Sequence, residues 1–148
     1  MKIKPLVENF IAPTYKTSGS AGMDVYLQSD IKISLGHYDA VIPLGFCAEV
    51  PEGYVALLMP RSSIGCSGLR LRNTVGVIDS DYRGEWKACV NFDHIVQDCY
   101  QNHAYENFKR GDRLFQVVIV PCKQVDIEIV DTLSETDRGD GGFGSTGK

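Results

Sequence analysis

Apolar and polar positions alternate with a period of two through much of the chain, which is the pattern of strands wet on one face. Ile31, Ile33 and Leu35 alternate with polar neighbours, and Val125, Ile127 and Ile129 stand against Gln124, Asp126 and Glu128. GYVALLM at 53–59 and LFQVVIV at 114–120 are nearly continuous apolar runs, and they predict strands covered on both faces. Turn-forming residues separate these runs at Pro51 to Gly53, Gly65 to Gly68 and Gly111-Asp112. No stretch of a dozen residues carries a 3.6 period. HAYENFKR at 103–110 is the one helix-tolerant window, and it is short. Many short strands at turn-separated intervals predict an all-β protein, a jelly-roll-like sandwich or barrel.

The chain's 148 residues suit one compact domain. A hydrophobic fraction of 43% with 23% charged residues is that of a soluble protein, and no apolar run approaches the roughly 18 residues of a membrane span. The start, MKIKPLVENFIAP, breaks at Pro5 and carries Glu8 where a signal peptide is apolar, so a cytoplasmic setting is expected. Five cysteines at 47, 66, 89, 99 and 122, with no C-x-x-C pair, predict reduced, mostly buried thiols. His94, Cys99 and His103 are close in sequence, but their spacing matches no strong zinc pattern and predicts a solvated loop. A net charge of −4 argues against stable nucleic-acid binding, which needs a broad basic face. An anionic ligand would have to be held by a few placed cations.

Four clusters offer such cations or other chemistry. MPRSSIGCSG at 59–68 sets Arg61, Ser62 and Ser63 at the end of an apolar run, a guanidinium fork plus hydroxyl donors that suits phosphate, although an ordinary turn reads the same way. SAGMDVYL at 20–27 places Asp24 after a small-residue turn, as a cap or turn residue would be. RGDRLFQVVIV at 110–120 interrupts an apolar run with Gln116, whose amide needs partners. GVIDSDYRGEW at 76–86 puts Asp79, Asp81, Arg83 and Glu85 at every second position directly after an apolar stretch. Taken alone, that comb is a wet hairpin face.

From Arg138 the sequence reads RGDGGFGSTGK, with five glycines, and cannot bury enough surface to order itself. The organisation predicted is a core over 1–137 and a flexible arm over 138–148. GFGSTGK satisfies G-x-x-x-x-G-K and GFGSTG satisfies G-x-G-x-x-G, but a P-loop needs a preceding strand and a following helix, and a dinucleotide fingerprint needs a βαβ unit. What survives is a glycine-rich wrap whose backbone N–H groups can approach an anion, with donors from Arg138, Ser145 and Thr146.

In order along the chain, AGMD, PRSS, NTVGVIDSDYRGE, GDRLFQ and RGDGGFGSTG resemble the five motifs of the trimeric dUTP pyrophosphatases, or dUTPases. Deoxycytidine triphosphate deaminases are similar in part of the third motif but lack the Asp-Tyr-Arg found here at 81–83. The resemblance implies a jelly-roll that hydrolyses dUTP to dUMP and pyrophosphate, limiting uracil in DNA and supplying dUMP for thymidylate synthesis. It implies Asp79 as the carboxylate that deprotonates the attacking water, a task suited to a group ionised at neutral pH. Tyr82 would lie beneath the deoxyribose, Asn73 would read the uracil edge, and Gly76 and Ile78 would also bind the substrate. Arg61, Ser62, Ser63 and Gln116 would contact the triphosphate, with Gly65 at a turn beside them. From the arm, Arg138, Phe143, Gly144, Ser145 and Thr146 would close over the nucleotide. Asp81 and Arg83 are expected to hold the hairpin and subunit contacts. Mg2+ is implied as the counterion of the triphosphate, with Asp24 touching it through water, and a homotrimer with shared active sites is implied as the assembly. Two departures stand out: the connection from Trp86 to Gly111 is longer than typical of the family, and the loop from Ile64 to Leu69 is slightly short. The alternative is a nucleotide-dependent regulatory binding protein using the same pocket, which would hold dUTP without turning it over.

Overall fold

The computed structural model describes residues 1–34, 40–65, 68–92 and 105–142. Leu35, Cys66, His94, Cys99, His103, Phe143, Gly144, Ser145 and Thr146 lie outside the described residues. Ten strands and one short helix follow in the order β1 (Lys2–Pro5), β2 (Gly22–Val25), β3 (Ile31–Ser34), β4 (Ala40–Glu49), β5 (Tyr54–Pro60), α1 (Ser62–Gly65), β6 (Leu69–Leu71), β7 (Gly76–Ile78), β8 (Glu85–Phe92), β9 (Tyr105–Phe108) and β10 (Phe115–Pro121). They make one antiparallel sheet in the order β1-β4-β8-β6, a second in the order β2-β10-β5-β7, and a β3-β9 ribbon. The architecture is a jelly-roll-like sandwich of open sheets. Among the described residues no helix is long and apolar enough to cross a membrane.

Alternation along the strands builds the core between the sheets. Leu44, Phe46, Ala88 and Val90 from the first sheet join Ala56, Leu58, Phe115 and Val117 from the second in one buried cluster. Trp86 anchors it, its ring centroid 5.1 Å from that of Phe46, which in turn meets Phe10 at 5.6 Å. Each fully buried Val, Leu or Phe among them contributes about 1.5–3 kcal/mol. Gly45 makes the long β4 possible. Its φ of 74° lies in the left-handed region, the β4–β8 register shifts between Pro43 and Cys47, and a Cβ there would meet Gln28 Cγ at 2.7 Å. Gln28 occupies that space and clips the neighbouring chain by hydrogen bonds with both the N–H and the carbonyl of Ile11.

Four expectations from the pattern need correction. Val125, Ile127 and Ile129 form no strand and stand 72%, 89% and 96% exposed, because no strand edge among the described residues pairs with them. Residues 105–108 of the helix-tolerant window form β9, drawn into extended form by antiparallel pairing with β3. The runs in β5 and β10 are buried on one face only. Ala56, Leu58 and Val117 are enclosed, whereas Val55, Leu57, Val118 and Val120 on the other face remain half-buried. The described cysteines are free, but Cys47 and Cys89 are half-buried and Cys122 is exposed, since they fall on strand faces or beyond a strand end rather than in the core.

Candidate active site

The sheet register brings the first cluster together. Asp24 on β2 stands beside Gln116 on β10, and Gln116 beside Met59 on β5, so residues far apart in sequence meet at one end of the second sheet. Asp24 is therefore a strand residue and not the turn cap its sequence context predicts. β5 ends at Pro60, and the chain turns at once into α1, with the N–H groups of Ile64 and Gly65 both bonded to the Arg61 carbonyl at 3.0 and 3.2 Å. This turn presents the exposed Ser62, Ser63 and Gly65 next to Arg61. The Arg61 N–H is tied to the Leu114 carbonyl at 3.0 Å, which fixes where its side chain begins.

Asp24 is the one buried charged residue among those described, at 7% exposure. Its burial is compensated by two guanidinium groups: Arg61 Nε donates to Oδ1 at 2.9 Å and Arg113 Nη1 to Oδ2 at 2.8 Å. Arg61 Nη1 also donates to the Arg113 carbonyl at 3.3 Å. One carboxylate against two guanidiniums leaves the cluster cationic, and the N–H groups that Arg61 has not committed suit an anion. Gln116 joins it, Nε2 donating to the Pro60 carbonyl at 3.3 Å. Its amide lies where a Cβ on Gly22 would come within 2.8 Å of Oε1. Glycine in the A-G-M-D segment thus leaves room for this side chain. Arg113 is a site residue that sequence reasoning missed. The signal available was its place in G-D-R-L-F-Q, but its partner Asp24 is 89 positions away.

The second cluster surrounds β7. Asn73 and Thr74 make the tight turn from β6, with Thr74 at φ 63°, a conformation uncommon for a β-branched residue. Asn73 Nδ2 lies 3.7 Å from the point where a Cβ on Gly76 would stand, and Leu58 Cβ lies 3.2 Å from it. Gly76 is thus the residue that lets the amide and the neighbouring strand close in. Ile78 ends the strand, and Asp79 follows with its side chain exposed. The Tyr82 N–H bonds the Asp79 carbonyl at 3.2 Å, closing a turn. Arg83 braces that turn, Nη1 donating to the Ser80 carbonyl at 2.7 Å and Nη2 reaching Glu49 at 3.4 Å, the hairpin-holding part of its expected role. Asp79 opens onto a depression of about 1140 Å³ that is also lined by Lys2, Glu49, Tyr54 and Val77.

These two clusters do not converge within one chain. Ile78 pairs with Ala56 while Gln116 pairs with Met59, so Asp79 lies about 13 Å further along the strands and two strands across. Arg138, from the arm, is exposed and spends Nε on the Gly141 carbonyl at 2.9 Å in a local turn.

The dUTPase family model matches residues 8–147, through both clusters. A deoxyuridine 5'-triphosphate nucleotidohydrolase of Maricaulis maris is 42% identical over 156 aligned positions, covering 99% of this chain and 95% of that protein. One from Nautilia profundicola is 40% identical, covering 100% and 99%. Among solved structures, a variant dUTPase of Staphylococcus bacteriophage 80alpha with dUpNHpp superimposes with a TM-score of 0.86 at 25% identity, covering 99% of this chain and 98% of that one. The agreement in sequence and in fold spans the whole chain, which belongs to the dUTPase family.

Proposed function

We propose that this protein hydrolyses dUTP to dUMP and pyrophosphate by attack of water on the α-phosphorus. The observation that carries this is the unbroken match to the family through both the cationic cluster and the Asp79 turn. Asp79 takes the proton of the attacking water, while Arg61, Ser62, Ser63, Gly65 and Gln116 hold the triphosphate and Asn73, Gly76 and Ile78 meet the uracil. Tyr82 forms the floor beneath the deoxyribose. Mg2+ would be held mostly by phosphate oxygens and water, as this hard cation prefers, and when bound it neutralises charge on those oxygens. The donor set fits that arrangement, with Asp24 a single carboxylate held between two guanidinium groups. Asp24, with a lone pair left on each oxygen, reaches such an ion through water.

A complete site then needs more than one copy, and a homotrimer supplies it by setting Asp79 of one subunit against Arg61 and Gln116 of the next. Three features support this. The clusters are separated within a chain, the outer faces of β5 and β10 are apolar but half-open, and the strand-like Val125, Ile127 and Ile129 have no partner within the described chain. A neighbour's sheet would cover them, and would carry the arm over 138–148 to a neighbouring site. There Arg138 would exchange its bond with Gly141 for a charge-assisted one to phosphate. Pyrophosphate release measured across dUTP, dTTP, dCTP and UTP should be fastest with dUTP by a wide margin. No release from dUTP, or equal release from UTP, would contradict the proposal.

A further inference from the structure

Tyr82 is 46% exposed, yet its ring is not free to swing. Its hydroxyl donates to the Glu85 carbonyl at 3.2 Å, which folds the ring back over residue 84. A Cβ at Gly84 would come within 2.3 Å of the hydroxyl oxygen, 2.5 Å of Cζ and 3.0 Å of Cε2. Two ring carbons and the hydroxyl oxygen thus occupy the volume that any other residue's side chain would fill. The φ of Gly84 lies outside the left-handed region, so the backbone does not itself demand glycine there. What demands it is the ring. The turn beneath is braced independently, by the Tyr82 N–H to the Asp79 carbonyl and by Arg83 to the Ser80 carbonyl.

We infer that Gly84 is a positioning residue for sugar selection: by lacking a side chain it sets the depth at which the Tyr82 ring lies. This rests on the proposed placement of the deoxyribose on Tyr82. The hydroxyl end of the ring lies against the Cβ position of Gly84, and its exposed part is the floor on which C2′ stands. Adding a methyl group lifts or slides the ring by about 1 Å, a displacement large enough to cost up to about a hundredfold in an enzyme that depends on alignment. A ring moved aside admits the 2′-hydroxyl and so narrows the preference for dUTP over UTP.

The test is a double-mutant cycle of Gly84→Ala and Tyr82→Ala, read as kcat/KM for dUTP and for UTP, with thermal melting of each variant. Gly84→Ala should lower the dUTP/UTP ratio about tenfold or more. In the Tyr82→Ala background the same substitution should change the ratio by less than about twofold, because the ring it acts through is gone. If Tyr82→Ala narrows the ratio and Gly84→Ala leaves it unmoved, the positioning role is wrong while the sugar floor stands. If Tyr82→Ala itself leaves the ratio unchanged, the sugar floor falls and the inference with it. Should Gly84→Ala fail to fold while the double variant folds, the steric pairing of ring and glycine is upheld. Failure of both to fold would overturn it.

Discussion

Asp24 shows how one side chain can aim several others. Its two oxygens take Arg61 and Arg113, and the backbone at Arg61 is held by Leu114, so a flexible guanidinium becomes a fixed donor at the mouth of α1. Replacing Asp24 with Ala removes both charge-assisted bonds and leaves two guanidiniums facing each other. Denaturant unfolding should register a loss of about 1.5–3 kcal/mol, and a change below about 0.5 kcal/mol would show that the cluster does not stabilise the fold. The residue types at this site were legible in the sequence, since Arg61, Ser62, Ser63 and Gln116 are donors set beside apolar runs. The role of Asp24 as their anchor was not, because it depends on the register that places β2 against β10. Gly22 and Gly84 were hidden for a related reason. A glycine's function here is the neighbour it makes room for, and the neighbour is known only once side chains are placed.

At the scale of elements, alternation marked β3, and apolar runs between turn residues marked β5 and β10, because the burial of a strand's faces is a local property of sequence. They failed where pairing decides. β9 is a strand because β3 is beside it, and residues 125–129 are not one because no described strand is. The β3–β9 ribbon is stapled at its open end by Asp30, which accepts from Lys109 Nζ at 2.8 Å and from the Arg110 N–H at 2.9 Å. The Lys109 hydrogen bond foremost, and the Arg110 amide after it, hold the Asp30 carboxyl below its ordinary value of 3.8. The bond with Asp30 raises Lys109 above its ordinary 10.5. The sign follows for each. Asp30 contributes stability above 3.8 that is lost as pH falls through its lower folded value. Lys109 contributes stability below 10.5 that is lost as pH rises through its higher one. An Asp30→Asn variant should therefore melt below the parent by a margin that is flat between those limits. That margin should vanish in strong acid and shrink in high salt, because the pair is exposed. A margin unchanged at about pH 2 would remove Asp30 from the staple.

For the whole molecule, the proposed trimer would account at once for the apolar surfaces that one chain leaves half-open and for the separation of its two clusters. Neither was legible in the sequence alone. Motif order shows which residues belong to a site but not which copy supplies them, and the family resemblance was what implied a trimer. The geometry gives a physical reason for it: Asp79 follows the end of β7 while Gln116 lies on β10, offset along the sheet, and no side chain spans that distance. The direct measurement is complementation between two inactive variants. Asp79→Asn should bind dUTP but lose about 10² to 10⁴ in rate, and Arg61→Ala should lose its hold on the triphosphate. Each is predicted to release little pyrophosphate by itself. When the two are unfolded together and refolded as a mixture, random assembly joins an intact Asp79 to an intact Arg61 in about a quarter of sites, and pyrophosphate release from dUTP should return in that proportion. If the refolded mixture is no more active than the two variants measured separately, while wild type refolded in the same way is active, Asp79 and Arg61 do not meet across subunits and the composite site is wrong.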